Sequence, residues 1–306
     1  MTVSSDIVLY ELIGRAEDAG KVPNFSPHVW KTKFDLAVLG IAYKPTGQSF
    51  HQIRGNLAEQ TGNDKVTVPT LVDAGKTITD SWDIAEYLED KYAKPAGKSL
   101  FGGSDGGKAL AKFIEGWANT TLAADLRPLI GPKVSAVGAV SQGKGSQRRG
   151  PTAAPVPILC DWFQLESTRS GLTRSYSYLT VVYLSLDPPS TEYFLSPRKA
   201  NQTRERAEEL VSLLSDPSYT SPHIAAARAK LSVVESLLAW NASQGKGPWL
   251  LGDEPSHADA CLWGWYAFSR LNKDTEQVWG HESLPRLGQW VKEVISKGIA
   301  KEEELY

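Results

Sequence analysis

The hydrophobic pattern of the chain changes after about ninety residues, and that change restricts the folds open to it. Before it, short β-rich runs alternate with amphipathic helical stretches in the order β-α-β-α-β-β-α. After a Pro/Gly-rich linker at 94–107, the readable patterns are helical. We therefore predict an α/β domain at 1–93, a small mixed sheet with helices against it, followed by an all-α domain at 108–306.

Local signals place the elements of the first domain. A β-rich run at 6–12 predicts the first strand, and a helix with apolar residues three and four apart follows at 26–40, where Gly40 stops it. Pro45 interrupts the second strand, and "QIRGNLAEQTG" predicts only a short, irregular helix. "VTVPTLVDAGKTITD" predicts two strands joined by a turn, and the amphipathic stretch 81–93 closes the domain.

The second domain is predicted from helical periodicity. Its predicted helices span 108–130, 197–215, 221–243, 256–271 and 283–298. The segment 135–186 fits neither period and is expected to be an irregular, disordered insertion, which is unusual in a compact domain. It is either a retained intron or recent insertion, or a genuine loop of the family. If it hinders folding of the helical domain, the protein as written is inactive.

Charge and apolar content exclude several classes of function. The 33 basic and 35 acidic side chains give a formal net charge of −2, so no overall field favours nucleic acid or anionic lipid. No apolar run approaches the ~20 residues of a membrane span. The start, "MTVSSDIVLYELIG", lacks the layout of a secretory signal. We expect neither a nucleic-acid nor a membrane partner.

Cysteine and histidine usage points the same way. Two cysteines, Cys160 and Cys261, do not build a disulfide framework, which fits a reducing compartment and predicts a cytoplasmic location. The five histidines stand without ligand spacing, so no metal site is predicted. They are His28, His51, His223, His257 and His281.

Ser26 and Pro27 stand at the predicted start of the first helix. Serine is a good N-cap and proline a good first helical residue, so capping alone explains the pair. A cap hydroxyl also lies beside the free N–H groups and the positive end of the helix dipole. A thiol brought there would be stabilised as the nucleophilic thiolate, whereas a free thiol with pKa ~8.5 is mostly protonated at neutral pH.

Two further pairs have a structural and a functional interpretation. Pro69 opens a run that otherwise resembles a central strand, and a cis bond after Val68 would turn the main chain of Val68 toward a ligand. Asp80 and Ser81 stand at a helix start, where a hydroxyl and free N–H groups suit a carboxylate. An ordinary trans proline and simple capping are the alternatives.

Together, "FSPHVWKTK", "VTVPTLVD" and "DSWDIAEYLE" resemble the glutathione transferase superfamily. The sequence of these three stretches is most similar to the fungal FuA-type and bacterial β-etherase-like classes, both of which use serine at the helix start. "WLLGDEPSHADACLWGW" adds a capping box of Ser256 and Asp259 that resembles the box on a buried helix of that family. The resemblance covers 6–134 and about 187–298.

The resemblance implies a thioredoxin-like N-terminal domain that binds glutathione as co-substrate and a helical domain that holds the acceptor. Ser26 would hydrogen-bond the glutathione sulfur, and Val68, before Pro69, would pair with the cysteinyl main chain. Asp80 and Ser81 would hold the γ-glutamyl ammonium and carboxylate.

Several assignments remain open at this point. Gln52 or Lys65 would reach the glycyl carboxylate, and Tyr10 is the rival to Ser26 as the catalytic residue. His28 lines the acceptor pocket or lies exposed on its helix. Four tryptophans either furnish an aromatic pocket or pack the core. They are Trp30, Trp117, Trp263 and Trp265.

The resemblance implies transfer of glutathione to an aromatic or phenolic electrophile, including cleavage of aryl ethers by thiolate attack. The alternative is a protein that sequesters phenolic compounds and uses glutathione weakly or not at all. The resemblance also implies that the protein is a homodimer.

Overall fold

The computed structural model describes residues 7–136 and 212–306. Four strands form one mixed sheet in the order β2-β1-β3-β4, with β1 parallel to β2 and antiparallel to β3. β3 and β4 form an antiparallel hairpin. The strands are β1 (Val8–Leu12), β2 (Lys44–Gln48), β3 (Thr70–Asp73) and β4 (Lys76–Thr79).

Helices of the first domain follow the predicted order. They are α1 (Pro27–Leu39), α2 (Phe50–Gln52), α3 (Ala58–Thr61) and α4 (Ser81–Leu88). Gly40 ends α1 with φ of 70°, a conformation that costs glycine little. A π-helical turn at Ile53–Leu57 joins α2 to α3, which matches the irregular helix expected there. The predicted thioredoxin-like arrangement is confirmed.

Pro45 lies inside β2 rather than breaking it. β2 is at the edge of the sheet and has a neighbour on one side only. A proline, which has no N–H to donate to a ladder, is tolerated at such an edge.

The second domain is helical throughout its described part, apart from one isolated bridge between Trp249 and Gly252. Its helices are α5 (Asp105–Trp117), α6 (Ala123–Ala136), α7 (Pro217–Ser243), α8 (His257–Ser269), α9 (Glu276–Trp279) and α10 (Pro285–Ser296). The all-α character predicted for this domain is confirmed. Among the described residues, no helix is both long and apolar enough to cross a membrane.

Some helix boundaries differ from the prediction. α5 begins at Asp105, inside the stretch predicted as a linker, because Ser104 caps it. α7 begins at Pro217 rather than 221, because Asp216 accepts a hydrogen bond from the Ser218 N–H as its N-cap. Most of the predicted helix 197–215 lies outside the described residues. So does the segment 135–186, apart from its first two residues in α6.

α8 is the centre of the second domain. All of its 13 residues are buried, and it packs against both α1 and α5. The predicted capping box is present at its start: the Ser256 N–H donates to Oδ2 of Asp259 at 3.0 Å. Asp259 also accepts from the main chain of Leu250 and from the indole of Trp290, at 3.0 and 2.8 Å. These bonds hold the start of α8, and the buried helix packs against α1.

Candidate functional site

Ser26 is the N-cap of α1. Its Oγ accepts a hydrogen bond from the Val29 N–H at 3.3 Å, and Pro27 occupies the first helical position. The residue is 4% exposed. An Oγ that accepts from the helix still carries its own proton, which it can donate to an anion at the helix start. The local sequence signal at Ser26 and Pro27 therefore predicted the observed cap.

The pairing of the strands brings the three residue pairs singled out in the sequence to the same end of the sheet. Thr70 lies opposite Tyr10 on β1 and opposite Thr79 on β4. Because both pairings are antiparallel, the end of β1, the start of β3 and the end of β4 lie at the same end of the sheet. The loop to Ser26 leaves from the first, Val68 and Pro69 precede the second, and Asp80 and Ser81 follow the third.

The Val68–Pro69 peptide bond is cis. Among residues 7–136 and 212–306, none hydrogen-bonds the main-chain N–H or C=O of Val68. A segment next to a strand with both main-chain groups unpaired can pair with an extended peptide.

Asp80 and Ser81 begin α4. Asp80 is the N-cap, with φ of 76°, and its carboxylate accepts from the Trp82 N–H at 2.8 Å. Positive φ is uncommon for a residue with a side chain, and such strain concentrates at functional sites. Ser81 is the first residue of the helix and is 3% exposed. Burial, together with the charges of Asp80 and Glu86, raises the pKa of Asp83 in the same turn.

Gln52 and Lys65 lie on different elements. Gln52 belongs to a capping box in which its side-chain carbonyl accepts from the Ser49 N–H at 2.9 Å, so that oxygen already has a local role. Lys65 is exposed in the turn before Val68, and its main-chain N–H donates to the Asn63 side chain at 3.0 Å. Within the described residues, the Lys65 ammonium forms no hydrogen bond or ion pair.

Tyr10 and His28 have separate environments. The Tyr10 hydroxyl is 3.1 Å from the Gln60 side chain on α3, a contact that favours a structural role. His28 is half-buried on the first turn of α1. Burial, helped by Lys31, lowers the pKa of His28 well below 6.5, so its imidazole is neutral at pH 7. The charge of Glu115 on α5 also interacts with His28, so His28 lies on the side of α1 that faces the helical domain.

The first turns of α1 are pressed against the helical domain. A Cβ atom on Gly264 of α8 would lie 2.2 Å from the Pro27 carbonyl oxygen, so only glycine permits this approach. One turn later, the wholly buried Lys31 ammonium is 2.9 Å from the Glu115 carboxylate on α5. These contacts fix the direction of the helix that Ser26 caps.

Three of the four tryptophans are buried in the core, and the fourth is half-buried. Trp30, Trp263 and Trp265 are 2%, 0% and 1% exposed and pack the core. Trp117, at the end of α5, is the half-buried member of the set. The described part of the chain contains no group of three or more His, Cys, Asp or Glu side chains placed to hold a metal ion.

Sequence reasoning missed Asn24. Its side-chain oxygen accepts from the Ser26 N–H at 2.9 Å and from the Leu12 N–H at 3.3 Å, and its amide nitrogen donates to the Ser26 carbonyl at 3.2 Å. Asn24 is 2% exposed. An asparagine two residues before an N-cap is typical of an Asx-turn, and that spacing is the signal that would have identified it.

Two family models match the chain. The glutathione S-transferase N-terminal domain matches residues 23–96, and the glutathione S-transferase C-terminal domain matches residues 166–300. The second match begins inside the segment 135–186, which is predicted to be an irregular insertion.

Solved structures share the fold. Glutathione transferase GSTFuA3 from Phanerochaete chrysosporium superposes with a TM-score of 0.62 at 16% identity, covering 96% of this chain and 98% of its own. CsGST63524 of Ceriporiopsis subvermispora, solved in complex with glutathione, gives 0.59 at 18% identity, covering 97% and 99%. The β-etherase LigF from Sphingobium sp. strain SYK-6 gives 0.53 at 15% identity, covering 97% and 98%.

Proposed function

Because the chain carries the N-terminal and C-terminal domains of a glutathione S-transferase and so belongs to that family, we propose that Ser26 activates the thiol of bound glutathione. The observation that carries the proposal is the hydroxyl of Ser26 at the start of α1, with Val29 N–H donating to it. The helix dipole and the serine O–H both favour a negative sulfur over a neutral one. The proton leaves the thiol for solvent as glutathione binds.

The other groups at the same end of the sheet have the chemistry needed to bind the rest of the tripeptide. The unpaired main chain of Val68, next to the cis bond to Pro69, offers one donor and one acceptor to the cysteinyl residue. Asp80 supplies a carboxylate for the γ-glutamyl ammonium, and Ser81 at the start of α4 supplies donors for its carboxylate. Lys65, or the amide nitrogen of Gln52, is assigned to the glycyl carboxylate.

Transfer then proceeds by nucleophilic attack. The thiolate forms a C–S bond to an electrophilic carbon of the acceptor, and the bond to the leaving group breaks with its electron pair. With an aryl ether the leaving group is a phenolate, which takes a proton from water. We place the acceptor between α1 and the helical domain. His28 on α1 and Trp117 at the end of α5 are both half-buried aromatic side chains, and this supports an aromatic acceptor.

A second candidate is favoured by one observation: Ser26 is only 4% exposed. A protein of this fold with a poorly accessible serine would bind phenolic compounds in the cleft and turn glutathione over slowly or not at all.

Kinetics of Ser26→Ala separate the two candidates. We expect the variant to lose about 10²-fold or more in kcat/KM with glutathione and a fluorescent aryl ether, as when one donor to a developing anion is removed. Ser104→Ala is the matched control, because Ser104 caps α5 in the same way, accepting from the Gly107 N–H at 3.1 Å. Phenol binding without turnover in the folded wild type would establish the binder instead.

We also propose a homodimer. Phe113 on α5 is 60% exposed, and a partner subunit that covered it would remove this apolar side chain from water. Light scattering of the wild type and of Phe113→Ser tests this, with a monomeric wild type as the contrary result. A cytoplasmic location stays a prediction.

A further inference from the structure

The loop that carries Ser26 is held by a short relay of hydrogen bonds. Asn24 ties the main chain of Ser26 to the end of β1 through its side chain. The carbonyl oxygen of Asn24 accepts in turn from the indole N–H of Trp30 at 3.1 Å. Position and orientation of the Ser26 hydroxyl therefore depend on where this loop is fixed.

The segment 301–306, which we call the strap, reaches this loop from the helical domain. Glu302 Oε1 of the strap lies 3.0 Å from Nη2 of Arg270, the residue that ends α8. Leu305 is 8% exposed, and the Tyr306 hydroxyl donates to the Pro23 carbonyl at 2.9 Å. Pro23 is the residue directly before Asn24, so the strap ends on the relay.

A second contact of the strap leads to the same place. Glu304 Oε2 lies 3.4 Å from Nζ of Lys33 on α1. That ammonium lies 4.4 Å from the centroid of the Trp30 ring, whose N–H holds the Asn24 carbonyl. Burial raises the pKa of Tyr306 to about 12, so its hydroxyl remains a donor at every working pH.

We propose that the strap is a positioning device for the catalytic serine, with Tyr306 as its positioning residue. The inference rests on the proposed role of Ser26 and extends it to residues of the other domain. Through Pro23 and Asn24, the Tyr306 hydroxyl sets the distance from the Ser26 hydroxyl to the sulfur. Losing that contact lets the loop move and weakens the bond that stabilises the thiolate.

The test is the pH dependence of catalysis by the full chain, with glutathione and a fluorescent aryl ether as substrates. We expect Tyr306→Phe to lower kcat about three- to tenfold, the effect of one hydrogen bond, with little change in the KM for glutathione. The kinetic pKa of the bound thiol should move upward by about 0.5–1 unit, a change that loss of global stability does not produce. Glu304→Gln should shift it in the same direction and keeps the test open if Tyr306→Phe folds poorly.

Tyr92→Phe is the matched control, because it loses a hydroxyl bonded to Asp73 at 2.6 Å and lies outside the relay. Unchanged kcat and kinetic pKa in both strap variants, alongside an inactive Ser26→Ala, would overturn the inference and leave the proposed function standing. Full activity of Ser26→Ala would overturn both.

Discussion

Nδ1 of His257 lies 2.7 Å from Oδ2 of Asp35, and neither side chain is exposed. His257 begins α8 and Asp35 belongs to α1, so the contact joins the two domains. The rings of Trp82 and Phe101 close over the imidazole, with centroids 5.3 and 5.5 Å away. Burial lowers the pKa of His257, but the Asp35 carboxylate and Cys261 outweigh it and raise the pKa to about 10.

This pair gives the free energy of unfolding a definite pH dependence. The folded-state pKa of His257 lies above its ordinary value of 6.5, so its stabilisation is full below pH 6.5 and is lost as the pH rises through about 10. Burial also raises the pKa of Asp35, which acts in the same direction. Asp35→Asn should cost about 3–5 kcal/mol at pH 7 and flatten the curve above it. Denaturant unfolding across this pH range measures both, and equal slopes in wild type and variant would contradict the assignment.

Glu115 should govern stability in acid. Burial alone would raise the pKa of Glu115, but Lys31 and Lys112 outweigh it and lower the pKa to about 2. Its stabilisation is therefore present above pH 4.5 and is lost as the pH falls toward 2. Glu115→Gln leaves the Lys31 ammonium buried without a counter-charge and should cost about 3–5 kcal/mol in urea unfolding at pH 7.

The matched control for Glu115 is an ion pair on the surface. Asp90→Asn breaks the contact with Lys94, whose side chain is 63% exposed, and should change stability little. If the two variants are equally stable, the buried pair does not hold the domains together.

Gly264→Ala should reduce both activity and stability. The added Cβ would meet the Pro27 carbonyl at 2.2 Å, so α8 or the first turn of α1 must shift. We expect a loss of about 1–3 kcal/mol in unfolding free energy and a fall in kcat, because the turn that moves is the one Ser26 caps. Gly116→Ala on α5, where a Cβ meets nothing within 4 Å, should be neutral or stabilising. Wild-type kcat and melting temperature in Gly264→Ala would show that this contact is unimportant.

Ser81→Ala should impair glutathione binding while leaving the chemical step intact. Asp80 still caps α4, so the helix start survives the change. A hydrogen bond to a charged group is worth about 1.5–3 kcal/mol, and we therefore expect the KM for glutathione to rise at least about tenfold with kcat nearly constant. Steady-state kinetics at varied glutathione concentration measure the split. A fall in kcat at unchanged KM would place Ser81 elsewhere in the mechanism.

Features with a local cause were predictable from the sequence. The Ser26 cap, the stop at Gly40 and the box of Ser256 and Asp259 each depend on residues within four positions of one another. The helical start at Pro217 was missed because Asp216 was not considered as a cap.

Contacts between distant parts of the chain were not predictable in this way. Asp35 and His257 are 222 positions apart, and Tyr306 and Pro23 are 283 apart. His257 was one of five histidines without a spacing pattern, since its partner comes from another domain. The packing of α8 against α1 brings Asp35 and His257 together, and no periodicity within one helix predicts it.

α1 carries Ser26, the proposed contact of the sulfur, at its N-terminal end, and its next turns contact the helical domain through Lys31 and Asp35. In the proposed function, binding of an acceptor between α1 and the helical domain and the acidity of the glutathione thiol are therefore linked quantities. A ligand that displaces the helical domain by a fraction of an ångström changes the proton affinity at the helix start. By reciprocity, ionising the thiol changes the affinity for that ligand by the same factor.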